Sequence, residues 1–493
     1  MSREYELVAR SSIDFEESFN GAHFDHHKPN YLRYLLSAPF VGYRRTRSAV
    51  RRRSVCSVVF ALAGILVTVI ILTFIFLPSY THLPPHYIAL RNAVRQSTAP
   101  GRGNPRDEKV FIAVSLYDKK GDLAGGQWGQ TVLDLIDMLG PNNVFLSIYE
   151  NDSGQAGERA LDQLAKRVAC NKSIVYEEHF NFTNFPTVTL PDGSKRIRRV
   201  EYLAEVRNRA LRPLDEHHPE IIRYDRLLFL NDVYFDPLDA VHLLFSTNAN
   251  NADGIATYRA ACAVDFINAF KFYDTFASRD LQGYGMGLPF FPWFTTAGQG
   301  QSRRDVLEGK DAVRVRSCWG GMVAFDAAFF QRPEPANATS QKYMGRNIPV
   351  RFRAEQDLFW ESSECCLIHA DIQRLPANPD NEKDTDTGTY MNPFIRVAYD
   401  RRSFSWLGIT RRFERLYPLA HNIANHVAGR PRHNPRRAEI AGEEVQERVW
   451  TGSSFATVTR IASSDGFCGQ LDLQVLAPRE ENGDGWESVP VPD

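Results

Sequence analysis

The sequence has no excess of either charge and no cysteine spacing that suits a metal site. Its 58 Lys and Arg residues and 59 Asp and Glu residues leave a formal net charge of −1, so the overall charge gives no reason to expect a nucleic-acid partner. None of the seven cysteines forms a CxxC pair, and the adjacent Cys365 and Cys366 are poorly spaced for zinc. The chain also contains no internal repeat, which argues against a repeat protein.

Charged residues are also missing from the 23 positions 55–77, which read VCSVVFALAGILVTVIILTFIFL. A helix of this length crosses a hydrocarbon core of about 30 Å. Six arginines precede the run between 44 and 53, and no Lys or Arg follows it before His86, so the positive-inside rule places 1–54 in the cytosol. The run starts too late and is too long for a cleaved signal peptide, and it is predicted as a single type II membrane anchor.

This topology puts the rest of the chain in the lumen of the secretory pathway. A span of 23 residues favours the Golgi membrane over the thinner membrane of the endoplasmic reticulum. The six lumenal cysteines allow up to three disulfides, whose pairing the sequence leaves open. N-glycosylation sequons occur at four positions on this side: Asn151, Asn171, Asn181 and Asn337.

Composition divides the chain into five parts. The segment that follows the anchor is rich in proline and glycine and is predicted as a stem, and the end of the chain combines arginine, proline and acidic residues. The predicted parts are a cytosolic tail (1–54), the anchor (55–77), the stem (78–108), a compact domain (109–420) and a loosely ordered C-terminal tail (421–493).

The first half of the compact domain alternates between strand-like and helix-like segments. Apolar strands are predicted at 110–117, 144–149, 173–178 and 225–235, and amphipathic helices at 128–139, 158–168 and 200–214. Short connections between them predict an α/β fold with a parallel sheet that has helices on both faces. Ligands bind such sheets beyond the carboxyl ends of the strands.

The segment LLFLNDVYFDP (227–237) places Asn231 and Asp232 at the end of an apolar strand. Their oxygens are suitable ligands for a divalent cation, which would neutralise the charge of a leaving nucleoside diphosphate. An Asn-Asp turn without chemistry is the structural alternative. A second apolar run, ECCLIHADI (364–372), reads as a strand that ends at His369, and an imidazole there would complete a manganese site with Asp232.

Polar residues at the other strand ends are candidates for nucleotide and sugar contacts. Arg207, on the helix before the Asn231 strand, is a candidate phosphate ligand, with a solvated helical arginine as the alternative. Glu355 and Asp357 in RAEQDLFW are candidate catalytic carboxylates that hold sugar hydroxyls or act as base, and the alternative is the start of an amphipathic helix. Aromatic segments at 266–276 and 284–294 predict an acceptor cleft, a core or a membrane-facing patch. Further cofactor-binding candidates are Tyr117, Asp118, Glu150, Asp152, Gly320 and Gly321.

The strings FIAVSLYD, LSIYENDSG, YLAEVRNRAL, LLFLNDVYF, SCWGGMVAFD and RAEQDLFW occur in this order behind the anchor. In this arrangement the chain resembles the fungal α-1,3-mannosyltransferase family (glycosyltransferase family 69), which includes cryptococcal mannosyltransferases and capsule-associated proteins. The resemblance covers roughly 109–375. It implies a GT-A-like, Rossmann-type nucleotide-sugar domain, GDP-mannose as donor, Mn²⁺ or another divalent cation, an α-mannoside acceptor and retention of configuration.

By the same resemblance, Asn231 and Asp232 occupy the place of the Asp-x-Asp metal motif that is usual in such folds. Val233 follows them where an acidic residue is expected, which makes Asp236 a possible substitute ligand. The family strings identify no nucleophile, so the donor phosphate itself is expected to accept the proton of the acceptor, with Glu355 and Asp357 positioning hydroxyls.

Three functions are compatible with the sequence. The first is a Golgi α-1,3-mannosyltransferase that uses GDP-mannose and acts on a glycan or glycolipid. The second is a transferase of the same fold that uses a UDP-sugar, because the loops at 117–127 and 150–157 decide which base is bound. The third is a non-catalytic lumenal protein that binds glycans or supports a transferase complex, which the incomplete metal motif motivates.

Overall fold

The structure, a computed structural model, describes residues 48–215, 223–249, 253–332, 349–373, 386–477 and 485–492, with side chains described from residue 57 onward. The part of the predicted cytosolic tail before residue 48 and the sequon at Asn337 lie outside the described residues. The helices are α1 (Ser48–Phe76), α2 (Pro85–Gln96), α3 (Gln127–Leu139), α4 (Gly154–Arg167), α5 (Arg199–Leu211), α6 (Pro237–Phe245), α7 (Gln301–Glu308), α8 (Glu364–Ile372), α9 (Arg401–Thr410) and α10 (Pro418–Val427).

Strands and short 3-10 turns complete the architecture. The strands are β1 (Val110–Leu116), β2 (Val144–Asn151), β3 (Asn171–Glu177), β4 (Val188–Thr189), β5 (Lys195–Arg196), β6 (Arg226–Leu230), β7 (Ala260–Phe266), β8 (Arg279–Asp280), β9 (Val313–Ser317), β10 (Met322–Asp326), β11 (Trp360–Ser362), β12 (Thr389–Ala398), β13 (Glu444–Trp450), β14 (Phe455–Ile461), β15 (Gly469–Leu471), β16 (Gln474–Leu476) and β17 (Trp486–Ser488). The 3-10 turns span Pro141–Asn143, Arg212–Leu214, Ala327–Phe329, Arg411–Leu416 and Pro435–Ala438.

A nine-stranded sheet with the order β3-β2-β1-β6-β10-β7-β12-β9-β8 forms the centre of the molecule. Strands β3, β2, β1 and β6 are parallel, and β10 and β9 run antiparallel to their neighbours. The strands and helices predicted between 110 and 235 are all present. The α/β class and the Rossmann-type first half that a GT-A-like domain requires are therefore confirmed.

Helices cover both faces of this sheet. Helices α3 and α4 connect β1 to β2 and β2 to β3, whereas α5 leads back from β3 to β6, so right-handed crossovers place α5 on the opposite face. Strands β1 and β2 are almost completely buried and all five residues of β6 are buried, whereas the edge strand β3 is partly exposed. This burial on both faces explains why the strands are continuous apolar runs rather than alternating ones.

The predicted stem is part of the folded body rather than a free spacer. Its helix α2 places Tyr87 in the interior, where the phenol ring stacks on His242 at 4.7 Å between ring centroids and its hydroxyl accepts a 2.7 Å hydrogen bond from Asn392. The proline and glycine content of 78–108 concealed an amphipathic helix, because Pro85 occupies the first turn, where proline is tolerated.

The expectation of a loosely ordered C-terminal tail is wrong for its described residues. Helix α10 begins at Pro418, β13 and β14 form a hairpin, and β15 pairs with β11. Arg199 of α5 contacts this region directly, with its guanidinium over the Trp486 ring and 3.1 Å from Gln474. The segment folds because it packs against the rest of the domain, which composition alone does not reveal.

Two disulfides join Cys262 to Cys318 and Cys366 to Cys468. The buried Cys170 and Cys365 remain thiols, so two of the three disulfides that the cysteine count allows are formed. The second disulfide connects α8 to the segment before β15 and ties the C-terminal region to the domain.

Helix α1 contains a 20-residue stretch, Ser57–Phe76, with a mean hydropathy of 3.0. Its length and composition suffice to cross a membrane, and almost all of its described side chains are exposed. This single apolar helix corresponds to the anchor predicted at 55–77.

Candidate active site

A cleft opens at the carboxyl ends of β1, β2 and β6, where the sheet pattern predicts ligand binding. Helix α5 forms one side, and the segment after β7 and the start of α8 form the other. Its lining includes Ser115, Leu116, Tyr117, Tyr149, Asn151, Arg199, Leu203, Arg207, Asn231, Asp232, Tyr273, Asp274, Phe276, Trp319, Ser363, Glu364 and Cys365.

At the end of β2, side chains alternate between the two faces of the sheet, and this alternation places Glu150, a predicted nucleotide contact, away from the cleft. Tyr149 and Asn151 face the cleft, and Glu150 between them points to the other side of the sheet and is fully buried. No described donor bonds to its carboxylate oxygens. Burial raises the pKa of Glu150 to about 7, and the nearby Ser153 lowers it only in part. Asn151, rather than Glu150, is therefore the β2 residue that a ligand would meet.

Asp118 and Asp152 stabilise loops beside the cleft instead of lining it. One carboxylate oxygen of Asp118 accepts hydrogen bonds from the backbone N–H groups of Leu123 and Ala124, both at 2.9 Å. Asp152 accepts a 3.2 Å bond from the N–H of Phe180 and lies in the left-handed region at φ 60°. Of the four predicted nucleotide contacts at these strand ends, Tyr117 alone lines the cleft.

Asn231 and Asp232 both reach the cleft, but they have different partners. The side-chain oxygen of Asn231 accepts bonds from Arg207 and from the indole of Trp319, both at 3.4 Å, and its backbone carbonyl accepts a 3.2 Å bond from Trp128. Two donors already occupy the Asn231 oxygen that a cation would need. The half-buried carboxylate of Asp232 is therefore the better cation ligand.

Asp236, the possible substitute ligand, has a different role. It is exposed and precedes α6, where its Oδ1 accepts a 2.9 Å hydrogen bond from the N–H of Leu238. This is the N-cap of the helix, a position at which aspartate is strongly preferred.

Arg207 lies inside the molecule and lines the cleft from α5. Its Nε donates to Glu364 at 2.9 Å, and its guanidinium lies over the Trp319 ring at 4.6 Å from the centroid. Burial therefore selects an ion pair and a cation–π contact, rather than the solvated helical arginine that was the alternative. The pair holds α5 and α8 at a defined distance on the two sides of the cleft.

Gly320 and Gly321 lie behind the cleft and shape it. Both have positive φ, 61° and 66°, and a Cβ on Gly320 would come within 2.0 Å of the carbonyl oxygen of Ala263. The N–H of Gly320 lies 3.4 Å from Asp274 Oδ2, and the carbonyl of Gly321 accepts a 2.9 Å bond from Asn231. The two glycines therefore position the Asp274 carboxylate and the end of β6 at Asn231, although they do not face the cleft themselves.

Asp274 is a cleft carboxylate that the sequence patterns did not single out. Burial raises its pKa to about 6, while backbone N–H groups of Ala277 and Gly320 oppose the shift. Burial and the nearby Asp274 also raise the pKa of Asp265, which accepts a 3.1 Å bond from Tyr399. The position of Asp274 within the aromatic segment 266–276 was the available signal.

His369 lies outside the cleft that Asp232 lines. The run 364–372 is helix α8 rather than a strand, and it places His369 in the interior, 4.0 Å from the sulfur of Cys262 and beside the Phe325 ring. Burial lowers the pKa of His369 to about 3, so the ring is neutral. Although Cys262, Cys318 and His369 lie close together, the two sulfurs are bonded to each other and are not metal ligands.

Glu355 and Asp357 also lie outside the set of cleft-lining residues. Asp357 forms a 2.6 Å ion pair with Arg436, and Glu355 accepts a 3.1 Å bond from Ser362. Asp357 therefore supports the contact with the C-terminal segment, and Glu355 bonds to β11 itself; a catalytic role for either carboxylate stays a prediction. The carboxylate that does reach the cleft from this region is Glu364, nine residues after Glu355.

A second cleft adjoins the first and shares Phe276 with it. Its basic lining residues are Lys271, Arg279, Arg430, Arg432 and His433. The residues of the two aromatic segments lie in the first cleft, in the core and at the surface. Tyr273 and Phe276 line the first cleft, Phe272, Trp293 and Phe294 are core residues, and Phe270 is 54% exposed.

The carboxylates that line the first cleft suit a cation that the protein holds with few ligands. Asp232 provides a carboxylate at the strand end, and Asp274 and Glu364 line the same cleft. Outside the Cys262, Cys318 and His369 group, no three acidic, histidine or cysteine ligand atoms of the described residues lie within 4.8 Å of one another. This arrangement suits a cation that is bound mainly by substrate phosphates and one or two carboxylates.

Comparison with known families shows to which family this chain belongs. A family model described as cryptococcal mannosyltransferase 1 matches residues 109–371, more than half of the 493 residues. The chain belongs to this family. Every residue that lines the first cleft lies within the matched range, whereas Arg430, Arg432 and His433 of the second cleft lie beyond it.

A curated relative within the cryptococcal mannosyltransferase 1 family is the alpha-1,3-mannosyltransferase CMT1 of Cryptococcus neoformans var. neoformans serotype D. It is 24% identical over 285 residues, which cover 55% of this chain and 54% of the relative. The chain thus spans about half the length of the curated relative that it matches.

Among solved structures, the chain is similar to the mannosyltransferase PcManGT from Pyrobaculum calidifontis in complex with GDP-Man and Mn²⁺. The identity is 12%, the coverage 70% of this chain and 71% of that chain, and the TM-score 0.31. A second similar structure is glucosyl-3-phosphoglycerate synthase from Mycobacterium tuberculosis in complex with Mn²⁺, UDP and phosphoglyceric acid. It has 11% identity, coverage of 79% and 96%, and a TM-score of 0.29.

Proposed function

We propose that this member of the cryptococcal mannosyltransferase 1 family is a single-pass type II membrane glycosyltransferase of the Golgi or endoplasmic reticulum. It transfers mannose from GDP-mannose to an α-mannoside of a glycan or glycolipid, in α-1,3 linkage and with retention of configuration. The observation that carries the proposal is the carboxylate of Asp232 at the end of β6, which faces a cleft built from the carboxyl ends of three parallel strands.

In this proposal the donor lies across the strand ends. Tyr117 and Tyr149 offer aromatic faces, and Asn151 offers an amide, to the nucleoside at the ends of β1 and β2. The diphosphate then extends toward Asp232 at the end of β6. Asp118 and Asp152 contribute indirectly by holding the two loops beside these strand ends.

Asp232 would hold Mn²⁺ or another divalent cation together with the phosphates, and Asp274 or Glu364 is in position to assist. The cation would neutralise charge that develops on the leaving diphosphate. Arg207 provides positive charge close to Asn231 and is itself bound to Glu364. In this proposal the protein orients the donor with the Asp232 carboxylate and with the network of Arg207, Glu364 and Asn231 beside it.

The acceptor is proposed to enter through the second cleft. Phe276 belongs to both clefts, so a glycan that occupies the second one would present its terminal sugar beside Asp274. The basic side chains of the second cleft favour an acceptor that carries negative charge or many hydroxyl acceptors. Asp274 lines the first cleft and lies two residues before the shared Phe276, and it is the carboxylate proposed to position the acceptor hydroxyl.

The test uses the full chain, solubilised from membranes, with Mn²⁺ and a panel of labelled nucleotide sugars offered to a simple α-mannoside. We expect transfer from GDP-mannose, and at least a hundredfold loss in Asp232→Asn, because removal of one group that stabilises developing charge typically costs about 10²–10³ in rate. Asp236→Asn is the matched control, since Asp236 caps α6 outside the cleft.

The other outcomes separate the alternatives. Transfer from a UDP-sugar, lost in Asp232→Asn, would keep the cleft and replace the donor. Binding of nucleotide and Mn²⁺ without transfer to any acceptor would favour the non-catalytic glycan-binding function. Equal activity in Asp232→Asn and the unmodified chain would reject the role of this carboxylate, and linkage analysis of the product decides the α-1,3 assignment.

A further inference from the structure

Helix α10 exposes its large apolar residues and buries two of its four polar residues, while the other two, Asn422 and His426, are exposed. His421 and Asn425 are buried, and both bind the backbone of Leu288, at 3.0 Å and 2.7 Å. Helices on the surface of soluble proteins show the opposite arrangement, with an apolar stripe toward the core. The inversion indicates that the outer side of α10 meets an apolar phase.

The outward residues of α10 form a stripe at helical spacing. Leu419 is 73% exposed, Ile423 58% and Val427 82%. On the preceding helix α9, Trp406 and Ile409 are also exposed, at 49% and 45%. We call these five residues the α9–α10 face. Clustered exposed apolar residues of this kind mark an interaction surface.

The position of the apolar helix α1 identifies what covers this face. The 3-10 turn that joins α9 to α10 packs against the last turn of α1. Phe413 contacts Phe74 at 5.2 Å between ring centroids, the Arg412 guanidinium lies over the same Phe74 ring, and the N–H of Ser79 donates to the carbonyl of Arg411 at 3.2 Å. Because α1 leaves the bilayer at this turn, the α9–α10 face lies at the level of the membrane surface.

The charge around the face also suits a lipid surface. Between 401 and 432 the chain has seven arginines and a single carboxylate, Glu414, which is bound to the buried Arg396. Arg401, Arg402 and Arg415 are exposed. Arginine side chains around an apolar stripe are typical of helices that lie in the membrane interface, where tryptophan is also enriched.

We propose that the α9–α10 face lies in the lumenal leaflet beside the anchor, with its apolar residues at the boundary between head groups and acyl chains and its arginines on lipid phosphates. The partner is the bilayer itself. The inference rests on the membrane anchor of the proposed function and extends it. The catalytic domain is held against the membrane by two contacts, the spanning helix and this face, rather than on a free stem.

Trp406 provides the test, because it is much more exposed than Trp128, Trp293, Trp319 and Trp360, none of which exceeds 2% exposure. The full chain is placed at one copy per phosphatidylcholine nanodisc, with either ordinary or dibrominated acyl chains. We expect a loss of tryptophan emission in the brominated discs, and we expect Trp406→Phe to abolish most of that loss. A second set of discs with anionic lipid measures the contribution of the arginines.

Variants then separate the face from the anchor. Leu419→Asp and Ile423→Asp should each reduce the quenching of Trp406, whereas Leu471→Asp, at a residue that is 61% exposed outside the face, should not. Release of the unmodified chain from cell membranes by alkaline carbonate would reject the anchor. Retention in the membrane without bromine quenching of Trp406 would reject the docking face and leave the anchor intact.

The number of protein copies per nanodisc distinguishes lipid from a second copy of the chain as the partner of the α9–α10 face. Quenching at one copy per disc supports the bilayer as the partner. If Trp406 is unquenched at one copy per disc and its emission shifts to shorter wavelength only at several copies, the face binds a second copy and the proposal is overturned.

Discussion

The Nε of Arg207 on α5 lies 2.9 Å from a carboxylate oxygen of Glu364 on α8, and both side chains are buried, with exposures of 9% and 4%. The pair connects two helices across the first cleft. Its geometry also fixes Asn231, whose side-chain oxygen lies 3.4 Å from the same guanidinium. This ion pair joins residues that are far apart in the sequence. It therefore sets the width of the cleft and the position of Asn231 at the end of β6.

We predict that Arg207→Gln and Glu364→Gln each lower the free energy of unfolding by about 3 kcal/mol, because each leaves a buried charge without its partner. The double variant should lose about 2 kcal/mol less than the sum of the single losses, since contacting residues are not additive. Thermal unfolding of the four proteins gives this double-mutant cycle, and transfer rates give a second one. Additive losses would show that the two side chains act independently.

The buried carboxyl of Glu150 makes stability depend on pH. Its pKa rises from 4.5 to about 7 on folding, because burial penalises the charged form. The folded chain therefore keeps this proton up to about pH 7, whereas the unfolded chain loses it near its ordinary value. Stability is lost as the pH rises from about 4.5 to about 7.

We expect Glu150→Gln to remove this loss. At about 1.36 kcal/mol per pKa unit, the gain at pH 8 is up to about 3 kcal/mol, with no gain at pH 4. Melting temperatures across this range measure the effect, and Glu158→Gln, at an exposed residue of α4, serves as the control. A difference between Glu150→Gln and the unmodified chain that stays constant with pH would contradict the prediction.

The disulfide between Cys366 and Cys468 holds the C-terminal region on the helix that carries Glu364. It spans 102 residues of sequence, and chain entropy assigns a loop of about this length a stabilisation of about 4 to 5 kcal/mol. We predict that Cys468→Ser lowers both the melting temperature and the transfer rate. Cys170→Ser, which changes a buried thiol outside any disulfide, is the control. An unchanged transfer rate in Cys468→Ser would show that the first cleft does not need this connection.

The sequons test the orientation of the chain. Asn171 and Asn181 are exposed, whereas Asn151 is 2% exposed and bonded to Tyr202 at the cleft. We expect N-glycans on Asn171 and Asn181, so that Asn171→Gln and Asn181→Gln each remove one endoglycosidase-sensitive mobility shift and Asn151→Gln removes none. A shift that remains in the Asn171→Gln, Asn181→Gln variant would come from Asn337.

A chain without any glycan would contradict the lumenal orientation. Expression in cells with a eukaryotic secretory pathway is therefore required, and a sequon placed in the segment before residue 44 provides the control for the cytosolic side. A glycan on that added sequon, together with none on Asn171 and Asn181, would reverse the topology.

Local errors in the sequence predictions have identifiable physical causes. Glu150 was expected at the ligand because it ends an apolar strand, but side chains alternate across a sheet and only the register shows which face a residue takes. The run 364–372 is predicted as a strand because six of its nine residues are apolar. In the structure eight of the nine are buried, and a helix without a polar face has no detectable period. Ser363, which accepts a 3.2 Å bond from the N–H of Cys365, was the capping signal that would have indicated a helix.

The sequence by itself determined the apolar helix, the α/β class, the strands and helices from 110 to 235 and the delivery of Asp232 to a strand end. These follow from periodicity and from runs of apolar residues, which are local properties of the chain. Tertiary structure alone decided that Glu364 and Asp274 line the same cleft as Asp232, whereas His369, Glu355 and Asp357 do not. It also decided that α10 exposes its apolar side. Those relationships depend on which distant segments pack together, and packing is decided by the whole chain rather than by any one segment.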